Sequence, residues 1–127
     1  MVKEFCELEV WQIAKRAVVE IYKLTKNFPR QETYGLVDQL RRSANSVCAN
    51  IAEGFERYHT KDKVRFYYNA RGSISECKSH LLIAKELNYI PVDVAKKLLG
   101  EFNRAGIKLN NMIASLYKRA EERGLRD

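Results

Sequence analysis

Only two prolines and six glycines occur in 127 residues, so turns are scarce and the fold must be built from few, long elements. No apolar run approaches the roughly 20 residues that a membrane span needs. The first residues, "MVKEFCELEVWQIAKRAVV", are interrupted by acids and lack the apolar stretch of a secretory leader. A soluble, cytoplasmic protein with no membrane partner is expected. Cysteine is sparse: Cys6, Cys48 and Cys77 are odd in number, far apart and without C-x-x-C spacing. That argues against a redox or zinc site and for buried free thiols in a reducing compartment. Histidine is scarcer still, with His59 and His80 alone. Di-iron bundles take a Glu-x-x-His from each of two helices; Glu56 with His59 offers one such spacing, whereas His80 stands four residues from Glu76 and supplies no second motif. Neither a Ser/His/Asp nor a Cys/His order is supported. No catalytic residue, metal or cofactor is expected, and the chain is read as a non-enzyme.

What is plentiful is charge laid over apolar periodicity. Lys and Arg number 23 against 16 Asp and Glu, a net charge of +7, which favours a polyanionic partner such as RNA or DNA. Hydrophobic residues at 46% and charged residues at 31% exclude a disordered chain and suit a single domain. Apolar positions recur at steps of three and four from Trp11 through Ala14, Val18, Ile21 and Thr25 to Phe28, until Pro29 stops the helix. A second stripe runs from Leu36 through Leu40, Ala44, Val47 and Ile51 to Phe55, with Thr33 as its expected N-cap. A third, capped by Thr60, takes Phe66, Ala70, Ile74, Cys77, Leu81, Ala84 and Leu87 and breaks at "NYIP". The fourth follows Pro91 with Ala95, Leu98, Phe102, Ala105, Leu109, Met112 and Leu116, the cleanest heptad in the chain. The expected helices span about 5–28, 34–58, 61–88 and 92–122, and such short connections make neighbours antiparallel. The fold class is all-α, an up-down-up-down four-helix bundle in one domain.

The stretch "DQLRRSANSVCANIAEGFERY" carries more polar chemistry than a core helix requires. If helices two and three form a hairpin centred near His59, level residues have numbers adding to about 118. That register sets Arg42 beside Glu76, Glu53 beside Arg65 and Ser46 beside Gly72. Gly54 and Gly72 each cost about 1 kcal/mol inside a helix relative to Ala, which close backbone approach would offset. Asn50, Glu53 and Arg71 read first as a hydrogen-bonded network that sets the register. The alternative is that some of them face a subunit interface or a ligand.

The segments "VWQIAKRAVVEIYKLTKNFP", "YGLVDQLRRSANSVCANIAEGFERY" and "RFYYNARGSISECKSHLLIAKELNYI" resemble, in order and spacing, the four-helix-bundle proteins encoded in intervening sequences of bacterial 23S ribosomal RNA genes. The likeness runs from about Leu8 to Ile90, and its matching positions are Gln39, Arg42, Asn50, Glu53, Gly54, Arg71, Gly72, Ser73 and Glu76. The family pattern has proline near position 48, where this chain has Cys48. The resemblance implies a small homo-oligomer, usually a pentamer, without enzymatic activity. Related bundles are accessory proteins of diversity-generating retroelements, in which a basic pentameric barrel binds a reverse transcriptase and nucleic acid. The resemblance implies no catalytic role for any of these residues.

Binding to nucleic acid would rest on the basic run Arg57, Lys61, Lys63, Arg65 and Arg71, interleaved with Tyr58, Phe66, Tyr67 and Tyr68. Without a helix-turn-helix or zinc motif, such binding would follow the backbone with little sequence preference. Lys63 is expected to have no buried partner. The competing reading is a structural adaptor acting through protein contacts alone. A homo-oligomer suits either, because Leu99, Ile113 and Ala120 on helix four and Tyr67 and Ile83 on helix three extend the apolar stripes beyond one seam.

Overall fold

Apolar steps of three and four residues produce four long helices. The computed structural model describes residues 1–124, with α1 at Glu9–Thr25, α2 at Leu36–Glu56, α3 at Thr60–Glu86 and α4 at Val92–Glu122. Single 3-10 turns at Phe5–Glu7 and Arg30–Glu32 precede α1 and α2. Each helix packs on the next and α4 returns against α1, an antiparallel four-helix bundle in one compact domain. No strand occurs among the described residues.

The helix ends depart from expectation for local reasons. The first helix does not begin at residue 5, because Leu8 has extended backbone (ψ 130°) and separates the 3-10 turn from α1. Thr33 does not cap α2: its hydroxyl donates back to the Arg30 carbonyl at 2.8 Å, and Gly35 takes the cap position. Thr60 is already the first residue of α3, after His59. At the other end of α3, Asn88 adopts φ 62°. Its N–H donates to the Lys85 carbonyl and the Tyr89 N–H to the Ala84 carbonyl, a Schellman closure that asparagine tolerates better than most residues.

The core is continuous: Ile13, Ile21, Leu40, Val47, Ile51, Leu81, Phe102 and Leu109 are fully buried. Two residues expected outside it, Tyr67 and Ile113, are 3% and 5% exposed. Conversely Phe66 is half-buried and Leu87 is exposed, because the buried face of α3 runs through Val64, Tyr67, Ala70, Ile74 and Cys77. Leu99 and Ala120 are partly covered, leaving Ile83 exposed as expected.

Small polar residues line the contact between α2 and α3. Ser46 and Ser73 hydroxyls meet at 2.8 Å, and the Asn50 amide donates to the Ser46 carbonyl at 2.8 Å and to its hydroxyl at 3.1 Å. One turn away the Cys77 thiol donates to the Ser43 hydroxyl at 3.3 Å. A Cβ built on Gly54 would lie 2.6 Å from Tyr67 Cε1, so the missing side chain is what admits the tyrosine ring. The level partner of Ser46 is Ser73 rather than Gly72. Gly72 is exposed and a Cβ there would meet nothing within 4 Å, so it is no contact point. Neither expected cross-helix ion pair forms among the described residues. Arg42 reaches Asp38 at 4.0 Å, Glu53 reaches Arg57 at 2.8 Å and Arg65 reaches Asp62 at 3.6 Å. These side chains project outward, where a partner one turn along the same helix is nearer than one across the pair.

The helices are unequal. Glu9, at the start of α1, pairs with Arg104 at 3.5 Å and Lys108 at 3.1 Å. The remaining stretch of α4, 109–122, therefore runs on past α1 for about 21 Å at 1.5 Å per residue. With the corner between α2 and α3 and with Met1, Val2 and Leu8, which flank the N-terminal turn, it borders a cavity.

Candidate nucleic-acid interface

Charged residues gather where α2 hands over to α3. Arg57 follows the last residue of α2, and its guanidinium lies 4.7 Å from the centroid of the Phe66 ring. Arg65, one turn into α3, lies 4.5 Å from the same ring. Lys61 is exposed on the same flank, and Tyr58 is 86% exposed with its ring edge-on to His59 at 5.1 Å. Cation–π contacts at such exposed positions contribute about 0.5–1 kcal/mol and hold an arginine side chain in place while its N–H groups face water. Glu53 accepts from Arg57 at 2.8 Å and Asp62 pairs with Arg65 at 3.6 Å, but exposed ion pairs are worth only about 0–1 kcal/mol. A phosphate can displace such a carboxylate at little cost. Arg71 lies over the exposed Tyr68 ring at 5.3 Å and lines a shallow groove against Phe102, Asn103 and Ile107 of α4. It belongs to the flank of α3 away from Arg57.

Lys63 does not belong to this surface. Its ammonium donates to the Phe55 carbonyl at 2.7 Å and to the Gly54 carbonyl at 3.4 Å, closing the C-terminal end of α2 where the helix dipole favours a cation. Burial lowers its pKa, Glu56 raises it and Arg119 lowers it again. Lys61 and Lys63 are two positions apart, and on a helix that spacing turns the side chains to different faces.

The positions matched to the family pattern fall into two groups. Asn50, Gly54 and Ser73 form the α2–α3 seam. Gln39, Arg42, Glu53, Arg71, Gly72 and Glu76 are exposed. Glu53 and Arg71, expected in a network with Asn50, take no part in the seam. Gln39 and Glu76 line a shallow groove with Leu36, His80, Ile83 and Leu87.

Sequence reasoning missed a clasp between α1 and α2. Arg41 Nε donates to Thr25 Oγ1 at 2.9 Å, its terminal nitrogen donates to the Tyr22 carbonyl at 3.3 Å, and its guanidinium lies 4.5 Å from the Tyr22 ring centroid. Asn45 adds a bond to the Tyr22 hydroxyl at 2.9 Å. These partners are 16 to 23 residues apart, so only the pairing of the helices brings them together. Of the cysteines, Cys6 is exposed, contrary to expectation, while burial pushes the Cys48 and Cys77 thiols up to about 11. Among the described residues no group of three His, Cys, Asp or Glu side chains is placed to hold a metal. No described helix is long and apolar enough to cross a membrane.

A family model described as 23S rRNA-intervening sequence protein matches residues 6–111. The chain belongs to that family. The matched segment takes in α1, α2, α3 and most of α4. The fold is also that of a crystal structure of a protein with unknown function from the S23 ribosomal protein family of Bacteroides thetaiotaomicron. The two superpose with a TM-score of 0.76 at 19% identity, over 83% of this chain and 95% of that one. No curated protein matches the chain.

Proposed function

We propose that this family member is a non-enzymatic, homo-oligomeric bundle that holds RNA or DNA by its phosphates, with little sequence preference. The observation that carries the reading is the pair of guanidinium groups, Arg57 and Arg65, held over the single Phe66 ring beside exposed Lys61. Arginine forks suit phosphate oxygens, and several such contacts release counterions without reading bases. In a closed oligomer, a pentamer as the family resemblance implies, the face would be repeated about the axis and weak contacts would add. Exposed Leu82, Ile83, Val92 and Ile107 supply apolar surface for subunit contact. The test is anisotropy on RNA and DNA of unrelated sequence across a salt series, with an Arg57→Gln, Lys61→Gln, Arg65→Gln variant. Affinity should fall linearly in log salt and be lost in the variant.

A second reading is a structural adaptor, with a protein such as a reverse transcriptase as partner. It is favoured by the groove in which Leu36, Ile83 and Leu87 lie between Gln39 and Glu76. Apolar docking there would tolerate salt that strips nucleic acid from a basic face. Absence of strand binding at low salt, with a folded protein, would leave this reading in place of the first.

A further inference from the structure

The cavity under the overhang of α4 has a volume of about 700 Å³, within the range of small-molecule sites. Its walls come from Met1, Val2 and Leu8 on either side of the N-terminal turn, the end of α2, the start of α3 and the last turns of α4. Leu116, Met112 and Phe55 give it an apolar floor, and Asn111, Ser115 and Thr60 give it polar edges. Three cations, Lys63, Arg119 and Arg123, line the same space. Among the described residues neither Arg119 nor Arg123 is paired with a carboxylate.

A second observation comes from Tyr67. Its ring fills the notch at Gly54 and the residue is 3% exposed, yet it borders the cavity. Its hydroxyl has no hydrogen-bond partner among the described residues, while Ser43, Ser46, Asn50, Ser73 and Cys77 of the α2–α3 seam each have one. Buried hydroxyls are seldom left so. The donor is available to an acceptor in the cavity. Burial pushes this phenol up to about 12, so at neutral pH it is an O–H donor rather than an anion.

We infer that the cavity binds a nucleoside monophosphate unit, its phosphate held by Arg119 with Lys63 and the Tyr67 hydroxyl, and its base lying on Leu116 and Phe55. A fatty anion would use the floor and the cations but make no use of Asn111, Ser115 and Thr60. A planar heterocycle with donor and acceptor edges satisfies both kinds of lining. Lys63 has three N–H donors and directs two toward α2 carbonyls, which leaves one for the phosphate. The ligand is either a free nucleotide or the 5′ end of a strand. The site is separate from the Arg57, Lys61 and Arg65 face, so the two proposals stand or fall independently.

The experiment is a calorimetric or NMR titration of the full chain with AMP, adenosine and inorganic phosphate, and with strands carrying a 5′-phosphate or a 5′-hydroxyl. AMP should bind saturably, and at least about tenfold more tightly than adenosine, since the phosphate contacts are charge-assisted. Arg119→Gln should weaken AMP about tenfold or more. Tyr67→Phe, which keeps the ring and the fold, should weaken it several-fold, and Leu116→Trp should fill the cavity and block it. The Arg57→Gln, Lys61→Gln, Arg65→Gln variant should bind AMP as the parent does. A preference for the 5′-phosphorylated strand assigns the site to strand ends; equal strand binding beside saturable AMP assigns it to the free nucleotide. No saturation by AMP, equal affinity for AMP and adenosine, or affinity unchanged in both folded variants Arg119→Gln and Tyr67→Phe would overturn the inference.

Discussion

On the inner side of the α2–α3 pair, Ser46, Ser73 and Asn50 bond to one another across and along the seam. On its outer side Arg57, Arg65 and Arg42 find carboxylate partners only one turn along the chain. Both sides are rich in polar groups, but only the inner ones are shielded from water and thereby made to specify a register. Lys63 and Arg65 divide along the same line: the first closes α2 by its carbonyls, and the second lies over an exposed ring with its charge toward solvent. Chemical type alone therefore does not tell a cation that closes a helix end from one left facing solvent; the face of the helix does.

Substitutions on the two sides should separate sharply, and the largest effect belongs to Gly54. Gly54→Val would drive a branched side chain into Tyr67, already 2.6 Å from a bare Cβ, and should lower unfolding free energy by about 2–3 kcal/mol in urea titration. Lys63→Glu removes the cation that closes α2 and sets a carboxylate against its carbonyls. A loss of about 1–2 kcal/mol is expected, whereas Lys61→Glu, on the outer flank, should stay within about 0.5 kcal/mol. Equal effects of the two lysine changes would erase the distinction drawn between them. Within the seam, Ser46→Ala and Ser73→Ala should each cost about 1 kcal/mol, with a coupling of about 0.5–1.5 kcal/mol in a double-mutant cycle. Opposite in sign to Gly54 is Gly72→Ala. It meets nothing within 4 Å and should stabilise the subunit by about 0.5–1 kcal/mol, read as a raised melting temperature. A loss of stability there would mean that Gly72 is covered by something other than its own bundle.

The four helices were legible in the sequence because apolar spacing reports helix faces directly. Gly54 was legible as a contact because a glycine within an apolar stripe has few other uses. Gly72 looked identical in sequence and differs only because its face turns outward. The cross-helix pairs Arg42 with Glu76 and Glu53 with Arg65 were misread because a hairpin register sets the level of a residue and not its azimuth. Asp38, Arg57 and Asp62 stood nearer on the same helices. Lys63 was misread for a related reason: a charge run gives no sign of which member can reach the preceding helix. The clasp of Arg41, Thr25 and Tyr22 and the cavity under α4 depend on contacts between distant segments, which no local pattern encodes.

The measurement that bears most directly on the outer face is strand affinity of the Arg57→Gln, Lys61→Gln, Arg65→Gln variant at low salt, beside its urea stability. The account predicts affinity for unrelated RNA and DNA reduced by at least about tenfold, with stability within about 0.5 kcal/mol of the parent. Strand affinity equal to the parent's in a variant of equal stability would contradict it.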